Sequence, residues 1–176
     1  DSVWVRSDNR EAGRLAVERL ARSGAERIVF VGDTASSQRQ FRERYEGYRD
    51  AMEQAGLSPV EPVISDGEDR VSQGRNAIRQ MADSGAGFDG LFFACDAMAL
   101  GALEELASLG IAVPDQVGVI GFVGLGSGEF SAPPLTTVQP DFAQAGMTLV
   151  DTALASGEDR PERRVKVHLV ERASVR

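Results

Sequence analysis

Apolar and polar positions along the chain change period in a way that alternates buried strands with amphipathic helices. The clearest stretch runs from Leu91 to Phe122 (LFFACDAMALGALEELASLGIAVPDQVGVIGF). Leu91 to Ala94 is a short unbroken apolar run between Gly90 and Asp96, as in a strand covered on both faces. Asp96 then offers an N-cap to a helix in which Met98, Ala102, Leu106 and Leu109 recur at about one-turn spacing. Gly110 stops it, with Pro114 beyond. Val117 to Gly121 reads as the next buried strand. A crossover of this kind is right-handed and gathers both strand C-termini at one edge, where open α/β sheets bind ligands.

The rest of the chain repeats the alternation. Val3 to Val5 is a short strand-like start, and Asp8-Asn9 cap a helix with Ala12, Leu15, Ala16 and Leu20 on its face, ending at Ser23-Gly24. Arg27 to Gly32 is a strand. Phe41, Tyr45, Tyr48 and Met52 mark one helix stripe closed by Gly56, and the arginines and acids between them read as a salt-bridged face. Pro59 to Ile64 predicts a strand, about Val71 to Ser84 a helix, and Gly124 to Pro134 an irregular loop. Leu135 to Val138 is a short strand or linker, Phe142 to Ser156 a helix, and Val165 to Glu171 a final strand with one face more exposed. The order predicts an α/β fold, a doubly wound parallel sheet flanked by helices.

Composition narrows the chemistry. A chain of 176 residues, 42% hydrophobic and 26% charged, suffices for one ordinary globular core. No apolar run approaches the length of a membrane span, so the expectation is no membrane partner and a cytoplasmic location. With a single cysteine, Cys95, and a single histidine, His168, neither an internal disulfide, a zinc site nor a serine triad is expected. The net charge of −8 offers no basic footprint for nucleic acid.

Enzymatic readings fare poorly on the same residues. A dinucleotide fingerprint requires glycines between a first strand and a helix, whereas Gly32 is followed by Asp-Thr-Ala-Ser-Ser, and Gly124-Leu-Gly-Ser-Gly precedes prolines. Cys95 has no neighbouring base in sequence, and a phosphoacceptor aspartate would need a lysine at a strand end, while Lys166 lies within the last strand. Arginines and polar groups at the sheet edge fit binding of a small polar molecule without catalysis or cofactor.

Several segments carry a resemblance. Asp8-Asn9 with Gly13-Arg14-Leu15-Ala16, Arg44-Tyr45-Glu46-Gly47-Tyr48, Asp96 to Ala102, Gly110 to Pro114, Val119 to Phe122, Pro133 to Val138 and Leu169 to Ser174 occur in the order found in LacI/GalR transcription regulators. The chain resembles the effector-binding region of that family, which is similar to periplasmic sugar-binding proteins.

The resemblance implies a sensor of a small effector, sugar-like or another polar metabolite, which acts as a homodimer and is not an enzyme. DNA would be touched only through a helix-turn-helix segment that this chain lacks. The resemblance implies a fragment: a complete C-terminal lobe (about 25–135 plus 165–176) and remnants of an N-terminal lobe (1–24 and 136–160). The alternative is the solute-binding component of a sugar transporter. The family's ligand arginine carries over onto Arg44, with Ser37 and Phe41 beside it and Asp96 at the next strand end. Three positions depart from the pattern: Val123 stands where an aspartate is usual, Cys95 where a polar residue is common, and Asp69 where many members place an aromatic. Losing a carboxylate that holds hydroxyls costs about 1–3 kcal/mol, so Asp69 or Glu129 would supply acceptors instead, or the ligand is less hydroxylated. Leu100 and the loop at Phe130 fall on the family's dimer face.

Overall fold

The computed structural model describes residues 5–35, 38–154 and 163–176. Five strands form the main sheet, in the order β2 (Ile28–Val31), β3 (Gly90–Phe93), β4 (Gly118–Phe122), β5 (Thr136–Pro140) and β7 (Val167–Val170). The first four run parallel, and β7 closes the edge antiparallel to β5, with Val138 opposite Leu169. The predicted α/β class holds, with a mixed rather than wholly parallel sheet. β2, β3 and β4 are buried at every position, as expected of strands covered on both faces.

Helices α1 (Asn9–Arg22) and α2 (Arg39–Gln54) pack as one pair, α3 (Arg70–Ser84) and α4 (Asp96–Ser108) as another. Both pairs cross through glycine. A methyl on Gly13 would meet the main chain of Arg44 and Tyr48, and one on Gly47 the main chain of Arg10. Gly74 and Gly101 stand in the same relation to Met98 and Val71. Without Cβ atoms at these points the helix backbones approach closely, and this sets where α2 carries Arg44.

Two local expectations change. Pro59 to Ile64 forms only a bridge, Val63 pairing with Val31, because Pro59 and Pro62 lack the N–H groups that a longer ladder needs. The segment is instead held by Tyr48, whose hydroxyl donates to the Ile28 carbonyl (2.8 Å) and accepts from Val60 N–H (3.3 Å). The predicted final strand is two strands divided at Lys166. β6 (Arg163–Val165) runs parallel with β1 (Val5–Ser7) in a separate two-stranded sheet, and β7 turns back onto β5.

The chain therefore passes three times between two units, around Asp8, Asp141 and Lys166. The passages are stitched together: Asp8 N–H donates to the Val165 carbonyl and Asp141 N–H to the Lys166 carbonyl, both at 2.9 Å. The smaller unit contains β1, β6 and α5 (Phe142–Leu154), which packs on both of these strands. Residues 9–24 and 136–140, expected with the smaller lobe, sit with the large sheet. Ala12, Ala16, Val17 and Leu20 of α1 join its core, and β5 hydrogen-bonds between β4 and β7. On α5, Phe142, Met147, Leu149 and Val150 are exposed.

Candidate functional site

Between the two units lies a cleft of about 600 Å³. Its walls come from four places that are distant in sequence. β1 supplies Arg6, the start of α1 supplies Asn9, and α2 supplies Arg39, Glu43 and Arg44. The end of β4 supplies Phe122 and Val123, and the passage into α5 supplies Pro140 and Phe142. Every element reaches the cleft because the parallel strands end there and the connecting segments cross there.

Arg44 is the centre of this arrangement. The residue is only 6% exposed. Its Nε donates to Asn9 Oδ1 at 2.9 Å, and Nη1 donates to the carbonyl of Ala94 at the end of β3. The guanidinium lies 3.6 Å from the centre of the Phe122 ring and 5.3 Å from that of Phe41. Burial pushes the Arg44 pKa down to about 9, which leaves it charged at neutral pH.

Asn9 joins this cation to the one acid in the cleft. Its amide nitrogen donates to Glu43 Oε2 at 3.0 Å, which fixes the amide orientation, since the oxygen must face Arg44. Arg39 Nε donates to Glu43 Oε1 at 2.8 Å, and Arg6 Nη1 stands 3.9 Å from the same oxygen. Burial works to raise the Glu43 pKa, but the Asn9 and Arg39 hydrogen bonds outweigh it and hold the carboxyl below its ordinary value.

Of the residues expected at the site, Arg44 and Val123 line the cleft, and Phe41 is buried beside it under the Arg44 and Arg70 guanidinia. Val123 has φ 110°, a conformation a β-branched residue rarely adopts, and its N–H is bound to the Val138 carbonyl at 2.9 Å. Ser37 lies outside the described residues. Cys95 is half-buried at the N-cap of α4 with no side-chain capping bond; burial raises its thiol pKa against the opposing pull of Arg70 and Arg44. It lies near Arg44 but is not among the residues lining the cleft.

Asp69 and Asp96 have other work. Asp69 caps α3, accepting from Ser72 N–H at 2.7 Å while the Ser72 hydroxyl faces the Asp69 N–H at 3.0 Å. Asp96 is not the N-cap but the first residue of α4, and is fully buried. It accepts from the Thr137 hydroxyl at 2.7 Å and from Leu125 N–H at 2.6 Å, tying β5 and the loop after β4 to α4.

Burial raises the Asp96 pKa despite these bonds, so the folded state holds this proton more tightly than the unfolded chain. Asp96 therefore takes stability away as pH rises through the range just above its ordinary value of 3.8. Asp96→Asn is expected to flatten the pH dependence of the melting temperature there. It should also lower stability by about 1–3 kcal/mol at neutral pH, because one carboxylate acceptor becomes a donor. An unchanged pH profile would remove Asp96 from this role.

The residues that sequence reasoning missed are Asn9, seen only as a helix start, Glu43 and Arg39, taken as part of a solvated face, Arg6, and Phe122. The one usable signal was adjacency, since Glu43 precedes Arg44 directly. Leu100 is half-buried on α4, and Phe130 is 87% exposed after the 3-10 turn Gly126–Glu129. Between the end of α4 and Pro133 runs a second hollow, of about 400 Å³, lined by Leu103, Ile111 and Val113. Among the described residues no cluster of His, Cys, Asp and Glu could hold a metal, and no helix is long and apolar enough to cross a membrane.

Two units joined by three crossing segments, with an arginine-bearing cleft between them, define a periplasmic-binding-protein-like domain. Residues 17–175 match the family described as periplasmic binding protein-like domain, and the chain belongs to it. Its relatives are LacI-type transcriptional regulators rather than enzymes. The HTH-type transcriptional regulator AscG of Escherichia coli K12 is 33% identical over 138 residues, 78% of this chain and 40% of AscG. A transcriptional regulator CelR–cellobiose complex superimposes with TM-score 0.86 at 31% identity, over 98% of this chain and 54% of that one. A dimeric Lac repressor with an 11-residue C-terminal deletion gives TM-score 0.86 at 26% identity, over 97% and 63%. The chain thus spans less than two thirds of these proteins.

Proposed function

We propose that this chain is the effector-sensing part of a LacI-type transcriptional regulator. The observation that carries the reading is Arg44, a buried arginine at the junction of the two units. Asn9 and Phe122 hold it from the large unit, and it lines a cleft whose opposite wall includes Val5, Arg6 and Phe142 of the smaller unit. A small molecule bound there touches both units, so it binds one relative placement of them better than another and shifts the population toward it. The passages at Asp8, Asp141 and Lys166 are the hinge.

The effector contacts are proposed as Arg44 with Asn9, Arg39, Glu43 and Val123, while Asp69, Asp96 and Cys95 support the architecture and Ser37 is a neighbour. The larger lobe is proposed as residues 9–140 with 167–176, and the smaller as 1–8 with 141–165. Leu100, the exposed Phe130 ring and the hollow beside α4 are proposed as the homodimer contact, in keeping with the dimeric Lac repressor. DNA binding is assigned to a helix-turn-helix segment outside these 176 residues, and the location to the cytoplasm. No catalysis and no cofactor are assigned.

The test is a thermal-shift screen of small polar metabolites on the full-length gene product, followed by an operator mobility-shift assay with each hit. At least one hit is expected to change DNA binding at the concentration that stabilises the protein. Hits that stabilise without altering DNA binding would favour a transport component instead.

A further inference from the structure

The chain carries a net charge of −8, yet the cleft inverts that sign. Arg6, Arg39 and Arg44 line it against Glu43 as the single acid. The Glu43 carboxylate is already engaged on both oxygens, by Asn9 and by Arg39. Arg44, by contrast, is buried with neutral oxygens as its hydrogen-bond partners, those of Asn9 and Ala94, and no carboxylate forms an ion pair with it among the described residues. A buried cation whose nearby acid, Glu43, reaches it only through Asn9 is costly to the apo protein, and an anion arriving in the cleft offsets that cost. The two bonds use Nε and Nη1, so Nη2 is the nitrogen left for a bound molecule.

Two of the three aromatic rings at the cleft are already occupied by cations, and only Phe142 on the smaller unit is open. The Phe122 ring is covered by the Arg44 guanidinium at 3.6 Å, and Phe41 lies under Arg44 and Arg70 at 5.3 and 5.0 Å. On both rings a face that could stack against C–H groups is taken by a guanidinium. The acids at the neighbouring strand and helix ends, Asp69 and Asp96, are committed to Ser72, Thr137 and Leu125. At the end of β4 stand Val123 and Gly124, without an acceptor side chain. Hydroxyl groups meet the neutral oxygens of Ser7 and Gln40 and the already engaged Glu43 as acceptors, while an anionic group meets three arginines.

We infer that the effector is a small anion, a polyol or similar metabolite bearing a carboxylate or a phosphate group, with that group at Arg44 Nη2 and Arg39. The inference rests on the reading of the cleft as the effector site and specifies its chemistry. Carboxylate and phosphate both offer anionic oxygens that accept charge-assisted hydrogen bonds from a guanidinium, so the two are separated by experiment.

Glucose, gluconate and glucose 6-phosphate form a matched set that differs chiefly in charge. They would be titrated calorimetrically into the full-length product, with inorganic phosphate against sodium chloride of equal ionic strength as the bare-anion arm. At least one anionic member is expected to bind about tenfold or more tightly than glucose, the scale of one charge-assisted contact. Phosphate is expected to raise the melting temperature where chloride does not. Arg39→Gln, a change at a half-exposed side chain that the fold tolerates, should shrink the anion preference severalfold, and Arg44→Gln should abolish the phosphate effect. Glucose binding as tightly as both anions would overturn the charge inference and leave the cleft reading intact. Silence from all three sugars and from phosphate would also overturn the inference. The cleft reading then depends on a footprint with whatever compound a wider screen yields.

Discussion

Arg44→Ala is expected to remove the stabilisation that an effector confers on the protein. The variant loses the guanidinium that lines the cleft, and it also frees Asn9 from its 2.9 Å bond and uncovers the Phe122 ring. A hydrogen bond to a charged group contributes about 1.5–3 kcal/mol, which translates to roughly a tenfold to hundredfold loss of affinity. The apo protein should lose much less, because Arg44 is a buried cation without a carboxylate partner, and deleting it also deletes a desolvation cost. The expected signature is a melting temperature near that of the wild type without ligand and a missing shift with it. Differential scanning fluorimetry with and without a hit reads both. A full ligand-induced shift in the variant would place the site elsewhere.

Gly47→Ala should be among the more damaging single-methyl changes at the helix crossings. In an isolated helix alanine is favoured over glycine by about 1 kcal/mol. Here the new Cβ would run into the main chain of Arg10 on α1, and neither helix backbone can yield without moving the other. Overpacking of this kind costs typically about 1–3 kcal/mol and occasionally more, so a net loss of about 2 kcal/mol is expected. That corresponds to a fall of roughly 4–8 °C in melting temperature for a domain of this size. Ligand affinity should fall too, since α2 carries Arg44, Glu43 and Arg39. Gly146→Ala on α5, where an added Cβ meets nothing within 4 Å, is the control and should be neutral or slightly stabilising. Equal effects from the two substitutions would refute the close-crossing account.

Much of this architecture was legible in the sequence because the signals were local. The unbroken apolar runs became β2, β3 and β4, the stripe Phe41, Tyr48 and Met52 turned inward, and Asp8 caps α1 through the Glu11 N–H. What escaped was set by partners distant in sequence. Nothing near Lys166 says that the strand there divides, because the division depends on β1 and β5, more than 150 and about 30 residues upstream. Asp96 looked like a cap and a ligand contact because its N-terminal position in α4 permits both. In the fold its two carboxylate oxygens accept from Thr137 and Leu125. At the candidate site Arg44 was found through the resemblance, whereas Asn9 and Glu43 were not. An asparagine that starts one helix and a glutamate on another meet only because Gly13 and Gly47 let α1 and α2 cross closely.

Hydrogen–deuterium exchange of the full-length gene product with and without a stabilising effector tests the central claim most directly. Protection is expected to concentrate in the segments that converge on the cleft, Val5–Asn9, Arg39–Arg44, Phe122–Gly124 and Pro140–Phe142. Protection confined to the hollow around Ile111, Val113 and Pro133, with these four segments unchanged, would contradict it.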